Sequence, residues 1–539
     1  MKAGRQRMNP KEENRILAKD VCMDKDPRIS HKNNNILVVG SPGTQKTLSY
    51  VLPNILNTYL ESMVVVDVKG DLIRKTAGIM KGRGYDIHCL DFKNFKIGER
   101  YNPISFLEQD VDIVKFASMI FHGSTFHGDP FWDDMACVYL TICIQFLKER
   151  FPKSKQTMES VIELTKVDLD TGKNNLEAYM KELECGHKLR YPDGRGIHNA
   201  LNRFNIYELR NMEAFKDHPK LKEDYLSEHS VDFMDLIDIF DKQNYSVSSD
   251  GYVCILHWKD EFGQEQTIDP DSKALKLYKQ FITVAPSEKT TASILATVTS
   301  RLNLYASSTL LDFMSTNEID LSLIGKKKTV LYLIVDDLTS TYDPLIEIFL
   351  HQLFQSLVKE AETSPNHCLP VPVHLYLDDF ATYSLPDMER LIASLRSRGI
   401  GMSLILQSET QLTSEYGMNA AKTIINACDT YLYFGGTDID TARSIALRSN
   451  NDLKNVLELP YGMEYVFQRN EKAILTHVVP IDTAMLDSLS KNEVTNFNEH
   501  LKKGAFGQIQ FQKFIDSICV EDFDEENDCF PDVDERMLN

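Results

Sequence analysis

Between Ile36 and Thr47 the chain commits itself to one kind of architecture. Ile36-Leu37-Val38-Val39 is an unbroken apolar run, the pattern of a strand covered on both faces. Gly40-Ser41-Pro42-Gly43 then turns the chain sharply, and Lys46-Thr47 opens a helical stretch that continues to Tyr59. The same rhythm recurs at Met63-Val64-Val65-Val66, ending at Asp67, and at Ile87-His88-Cys89-Leu90, ending at Asp91. It returns at 329–335, 373–377, 403–406 and 431–434. Enough chain separates these runs for a crossover helix between each, so the expectation is an α/β fold on a mostly parallel, twisted sheet.

The turn itself carries chemistry. Gly40-Ser41-Pro42-Gly43-Thr44-Gln45-Lys46-Thr47 nearly satisfies the Walker A pattern G-x-x-x-x-G-K-[ST]. In that pattern glycines let successive backbone N–H groups point inward at phosphate oxygens, and the helix N-terminus adds partial positive charge. Lys46 is placed to reach the β and γ phosphates of ATP, and the Thr47 hydroxyl to take one position on Mg2+. Gln45 departs from the pattern, which has glycine there; a Cβ is expected to strain or narrow the loop and to weaken nucleotide binding or turnover. Taken alone, the segment also reads as a strand–turn–helix junction with an incidental Lys-Thr.

A second half-site answers the first. Leu375-Tyr376-Leu377-Asp378-Asp379 is an apolar strand ending in acids, the Walker B arrangement. Asp378 is expected to hold Mg2+ through water and Asp379 to polarise the attacking water. An aspartate at the second position reaches about one methylene less far than the more usual glutamate, so slow hydrolysis is expected. Gln407 ends the strand 403–406, on the edge where a parallel sheet places its ligands, and can sense the γ-phosphate. Arg396 and Arg398 precede that strand and suit an arginine finger acting on a neighbouring subunit, or equally a solvated helix end.

Composition sets limits on these readings. The chain has 539 residues and a formal charge of −20, so it lacks the basic overall field of an autonomous duplex binder; a local channel for DNA stays open. Its ten cysteines form no CxxC pair, which argues against zinc and a disulfide framework. No run reaches the roughly 20 apolar residues of a membrane span. Residues 1–32 read as a polar segment, 33–154 as the first part of the nucleotide-binding domain, 155–280 as an inserted, mostly helical domain with a small hairpin near 252–256, 281–484 as the second part, and 485–539 as a C-terminal segment with an acidic tail.

These residues resemble the TraG/VirD-type coupling proteins of conjugative type IV secretion systems, particularly the Gram-positive branch. The stretches that carry the likeness are Asn33–Gly40, Val66-Asp67-Val68-Lys69-Gly70-Asp71, Tyr101-Asn102-Pro103, Phe131-Trp132-Asp133 and Lys289–Leu295. Most specific is the series Leu377-Asp378-Asp379-Phe380-Ala381, Arg396-Ser397-Arg398-Gly399-Ile400, Gln407-Ser408, Gln411-Leu412 and Tyr416-Gly417. The resemblance implies a RecA-like P-loop NTPase interrupted by an all-α domain, working as a homo-hexamer. Such a ring uses ATP to pass single-stranded DNA, with its relaxase or relaxosome, to the secretion channel. By motif position it assigns Lys46 and Thr47 to phosphate and Mg2+, Asp378 to Walker B, Asp379 to catalysis, Gln407 to sensing and Arg396 to the arginine finger. It also implies an N-terminal membrane anchor, which these residues do not show; the expectation is a truncated or naturally soluble member, or one whose anchor another subunit supplies, placed in the cytoplasm and peripheral to the membrane through partners. Two other readings stay open: a hydrolysis-impaired adaptor that recruits relaxase or secreted cargo, and an ATPase for channel assembly.

Overall fold

The computed structural model describes residues 14–121, 130–166, 174–177, 180, 245–247, 253–259, 265–268, 272–285, 287–336, 341–383 and 385–480. The acidic tail and most of segment 155–280 lie outside the described residues. Two compact units are distinguished: 1–101 with 317–539, and 102–316.

The first unit opens with a hairpin, β1 (Asn14–Ala18) and β2 (Val21–Asp24), that the polar composition of the N-terminal segment did not suggest. Then follow β3 (Asn35–Val39), β4 (Ser62–Asp67) and β5 (Asp86–Asp91). The second unit contributes β6 (Tyr245–Val247), β7 (Val253–Lys259) and β8 (Glu265–Ile268), an antiparallel sheet of three strands where the sequence suggested only a small hairpin in a helical domain. The first unit resumes with β9 (Thr329–Ile334), β10 (Val373–Leu377), β11 (Ile400–Leu406), β12 (Thr430–Tyr433), β13 (Met463–Gln468) and β14 (Ile474–His477).

Nine of these strands form one sheet in the order β14-β13-β12-β3-β11-β10-β4-β9-β5. From β12 to β5 every pairing is parallel; β13 and β14 close one edge antiparallel. All seven parallel strands that the apolar runs foretold are present. β3, β4, β9, β10 and β11 are buried at every position, as runs without a polar alternation require. The parallel strands therefore deliver their carboxyl ends, and the residues that follow, to one edge of the sheet.

In the second unit, helices Asp110–Phe121, Pro130–Arg150, Met158–Thr165, Lys273–Val284 and Glu288–Leu302 are described. Tyr139 meets Phe281 edge-on at 5.4 Å. Glu149 accepts hydrogen bonds from the Ser272 hydroxyl at 2.7 Å and the Lys273 amide at 3.1 Å, tying the 130–150 helix to the start of the 273–284 helix. The unit thus begins well before residue 155 and ends well after 280. Helix periodicity shows that a face is buried but not which neighbour buries it, so the sequence placed its boundaries inside this helical unit. Among the described residues no helix is long and apolar enough to cross a membrane.

One interior residue opposes the apolar logic of the sheet. Glu464 of β13 is fully buried, and neither carboxylate oxygen has a hydrogen-bond partner among the described residues. Burial pushes its pKa from an ordinary 4.5 to about 9, so the folded chain holds it protonated at neutral pH. The unfolded chain releases that proton near 4.5, hence stability falls as pH rises from there towards 9. Glu464→Gln is expected to flatten this decline, raising Tm at pH 8.5 by about 2 °C or more while changing it little at pH 4.5. Thermal melts across that range check it; a variant melting below wild type at pH 8.5 is the contrary result.

Candidate active site

Where β3 ends, the Gly40 amide donates to the Leu406 carbonyl of β11 at 3.1 Å, and the Ser41 amide to the Gly435 carbonyl beyond β12 at 2.9 Å. The loop therefore grows out of both neighbouring strands. Gly40 has no room for a side chain: a Cβ there meets Phe434 Cβ and Thr44 Oγ1, each at 2.7 Å. Pro42 and Gly43 form the exposed tip, Gly43 with φ +82°. The amide and hydroxyl of Thr44 both return to the Ser41 carbonyl, at 3.3 and 2.8 Å.

Gln45 takes φ +64°, the left-handed conformation that glycine adopts freely. The departure from the motif is thus absorbed as backbone strain, and the glutamine side chain stands exposed rather than filling the loop. Lys46 is buried and its ammonium donates to the carbonyls of Gly40 and Ser41 inside the turn. The helix then starts with an i→i+5 turn, Thr47–Val51, before continuing as Leu52–Leu56. Pro53 accounts for the wide turn, because it has no N–H to give to Ser49 and its ring crowds that carbonyl.

β10 lies two places from β3, with β11 between them. Its terminal acid, Asp378, accepts a hydrogen bond from the Thr47 hydroxyl at 2.8 Å across 331 residues of chain. Its other oxygen accepts from the Asp379 amide at 3.1 Å, and the Tyr383 phenol holds its carbonyl at 3.0 Å. Asp379 has φ +47°, and the Gln407 amide group reaches its carboxylate at 3.4 Å. Gln411 accepts from the Gln407 amide at 3.0 Å, fixing the end of β11.

The charges are coupled. Burial first, then the neighbouring Asp379, pushes the Asp378 pKa up to about 6, against the pull of Thr47 and Lys46. Burial lowers the pKa of Lys46, and the attraction of Asp378 and Asp379 only partly offsets it. Thr47 and Asp378 offer hard oxygen donors side by side, a donor set suited to Mg2+, which binds few protein groups and keeps waters and phosphate oxygens for the rest. Among the described residues there is no cluster of three or more His, Cys, Asp or Glu able to hold a metal by themselves.

Gly40, Ser41, Pro42, Gly43, Thr44, Gln45, Lys46 and Thr47 are therefore gathered with Asp378, Asp379 and Gln407 at one sheet edge. Arg396 is not. It is exposed and precedes β11, at the opposite edge, about 20 Å from the carboxyl end of that seven-residue strand. Arg398 is engaged by Glu362 at 2.9 Å and the Ser394 carbonyl at 2.9 Å. Sequence reasoning missed the loop after β12, whose Thr437 amide donates to the Ser41 hydroxyl at 3.3 Å. Its signal was present: Gly435-Gly436 follows an apolar strand just as Gly40 does.

The family described as Type IV secretory system Conjugative DNA transfer matches residues 5–196 and 230–448. The chain belongs to that family. Its matched stretches include the whole loop, both acids, Arg396 and Gln407. Among solved structures, the fold is similar to that of the bacterial conjugative coupling protein TrwBdeltaN70 in its trigonal form with sulphate, at 15% identity and TM-score 0.53, over 86% of this chain and 89% of that one. It is also similar to plasmid coupling protein TrwB in complex with ADP and Mg2+, at 14% identity and TM-score 0.50, over 86% and 88%. Identities this low show a common RecA-like P-loop fold. No curated protein matches the sequence.

For this member of the family, Gly40→Ala is expected to displace the loop or Phe434. It should cost about 1–3 kcal/mol, read as a lower Tm, and abolish nucleotide binding. Unchanged stability and binding would show that the close approach is not required.

Proposed function

We propose that the chain is the ATP-driven coupling protein of a conjugative type IV secretion system, bringing relaxosome and single-stranded DNA to the secretion channel. The observation that carries the reading is the contact of Thr47 with Asp378, which joins the phosphate loop to the acid strand. TrwB has been seen with ADP and Mg2+, and the loop here offers Lys46 to a phosphate chain and the Thr47 hydroxyl to Mg2+.

In this reading, backbone amides of the loop and Lys46 bind the β and γ phosphates of ATP. Thr47 and Asp378 are the residues that would hold Mg2+, which when bound neutralises phosphate charge. Asp379 orients the water whose oxygen bonds to the γ phosphorus as the bond to the β-phosphate oxygen breaks. The water's proton passes to the Asp379 carboxylate, leaving ADP and inorganic phosphate. Gln407 keeps Asp379 in place and registers loss of the γ-phosphate. Arg396, exposed at the far edge, serves a neighbouring subunit's site in a homo-hexameric ring. DNA contacts are local to that ring, since the net charge of −20 offers no general attraction. The helical unit selects relaxase or DNA cargo, and the work is done at the cytoplasmic face of the membrane.

Lys46→Ala is expected to lower DNA-stimulated ATP hydrolysis by at least about 100-fold, and Asp379→Asn by a similar factor. Clean wild-type protein without turnover under any DNA condition would count against the motor. Asp378 must lose its proton to serve as a ligand, so the gain in ATP affinity from Mg2+ should rise as pH climbs through about 6 and level off above it. Calorimetric titrations with and without Mg2+ from pH 5 to 8 check this; in Asp378→Asn the rise should shrink to the part that protonation of the ATP phosphate itself gives.

A further inference from the structure

A hydrogen-bonded chain runs through the core beneath the site. The phenol of Tyr50 meets the Ser403 hydroxyl at 2.7 Å, and that hydroxyl meets His374 Nε2 at 2.8 Å. Tyr50 and Ser403 are fully buried and His374 nearly so. Three polar groups in an apolar core are unfavourable unless they satisfy one another, so the link is specific.

Each member sits on an element that carries a site residue. Tyr50 follows Thr47 in the i→i+5 turn. His374 shares a face of β10 with Tyr376 and Asp378, by the two-residue alternation of strands. Ser403, on β11, shares its face with Gln407 by the same alternation and pairs in register with Tyr376. Tyr50 also meets Tyr376 edge-on at 6.5 Å. The chain therefore ties the helix bearing Lys46 and Thr47 to the two strands bearing Asp378 and Gln407, about 13 Å below the reacting groups.

The wide turn gives this link its consequence. An extra residue in a helical turn offsets what precedes it by about 100°. Tyr50 lies in the same i→i+5 turn as Thr47, three residues on, so its bond to Ser403 limits how that turn can swing the Thr47 hydroxyl away from Asp378. We propose that Tyr50, Ser403 and His374 are positioning residues, holding Thr47 and Asp378 at the separation a Mg2+–nucleotide complex needs. The inference rests on the nucleotide reading above. Burial first, then Arg15, holds His374 well below the ordinary imidazole pKa, so the ring is neutral. Its Nδ1 has no partner among the described residues, and the ring proton is best placed on Nε2, donated to Ser403.

The test compares ATP affinity in EDTA and in Mg2+ for wild type, Tyr50→Phe, Ser403→Ala and the double variant. Each single variant is expected to lose about 10-fold of the Mg2+-dependent gain, as supporting groups around metal ligands do, while affinity in EDTA stays within about twofold. The double variant should lose no more than either single one. A gain retained in Tyr50→Phe and Ser403→Ala overturns the positioning role alone. Equal losses in EDTA and Mg2+ also overturn it, because a merely structural residue would move both. A wild type that gains nothing from Mg2+ overturns the nucleotide reading and this inference together.

Discussion

The hydrogen bond between Thr47 and Asp378 is the constraint on which the rest of the molecule depends. Its partners are separated by 331 residues, and the helical unit 102–316 lies between them in sequence. Only a parallel sheet that sets β3, β11 and β10 side by side can deliver both to one edge. That demand explains why these three strands are buried at every position. A polar residue pointing into either layer would weaken the pairing that fixes the site. Ser403 and His374 are the polar side chains that β10 and β11 do admit to the core, and they are joined to each other through His374 Nε2.

Charge in the site is poised rather than simply neutralised. Two adjacent carboxylates and one lysine lie together, and burial works against the charged forms of Asp378 and Lys46. Mutual attraction between Lys46 and the acids offsets part of that cost. Asp378 is left with a pKa of about 6, in reach of a modest change in its surroundings. A cation or a phosphate chain entering such a site changes protonation as well as contacts, and the two effects are linked.

Much of this was legible in sequence because continuous apolar runs have few structural solutions. All the parallel strands were marked by their runs, and the Walker A and B residues by their places at strand ends. The antiparallel edge was not: β14 is largely exposed and its four residues carry no pattern strong enough to stand out. The β1–β2 hairpin was hidden by its charge. Arg15 is buried, paired with Glu61 at 2.8 Å and bonded to the Tyr376 phenol, contacts that depend on residues far along the chain. Arg396 shows the complementary limit. Motif position marked it, yet strand direction carries it away from the site of its own chain.

Gln45 shows how a motif can be broken in letter and kept in form. The glycine of the pattern supplies a left-handed backbone, and Gln45 supplies the same φ at a steric cost of about 1 kcal/mol. What sustains the strain lies on both sides of it. Ahead stands the Thr44 return to Ser41; behind, the Ser49 amide donates to the Gln45 carbonyl at 2.7 Å and starts the helix. Because the side chain is exposed, it stays outside the turn that Lys46 fills. Chain path, not residue identity, is what phosphate recognition requires, and that path is set by neighbours that the motif does not mention.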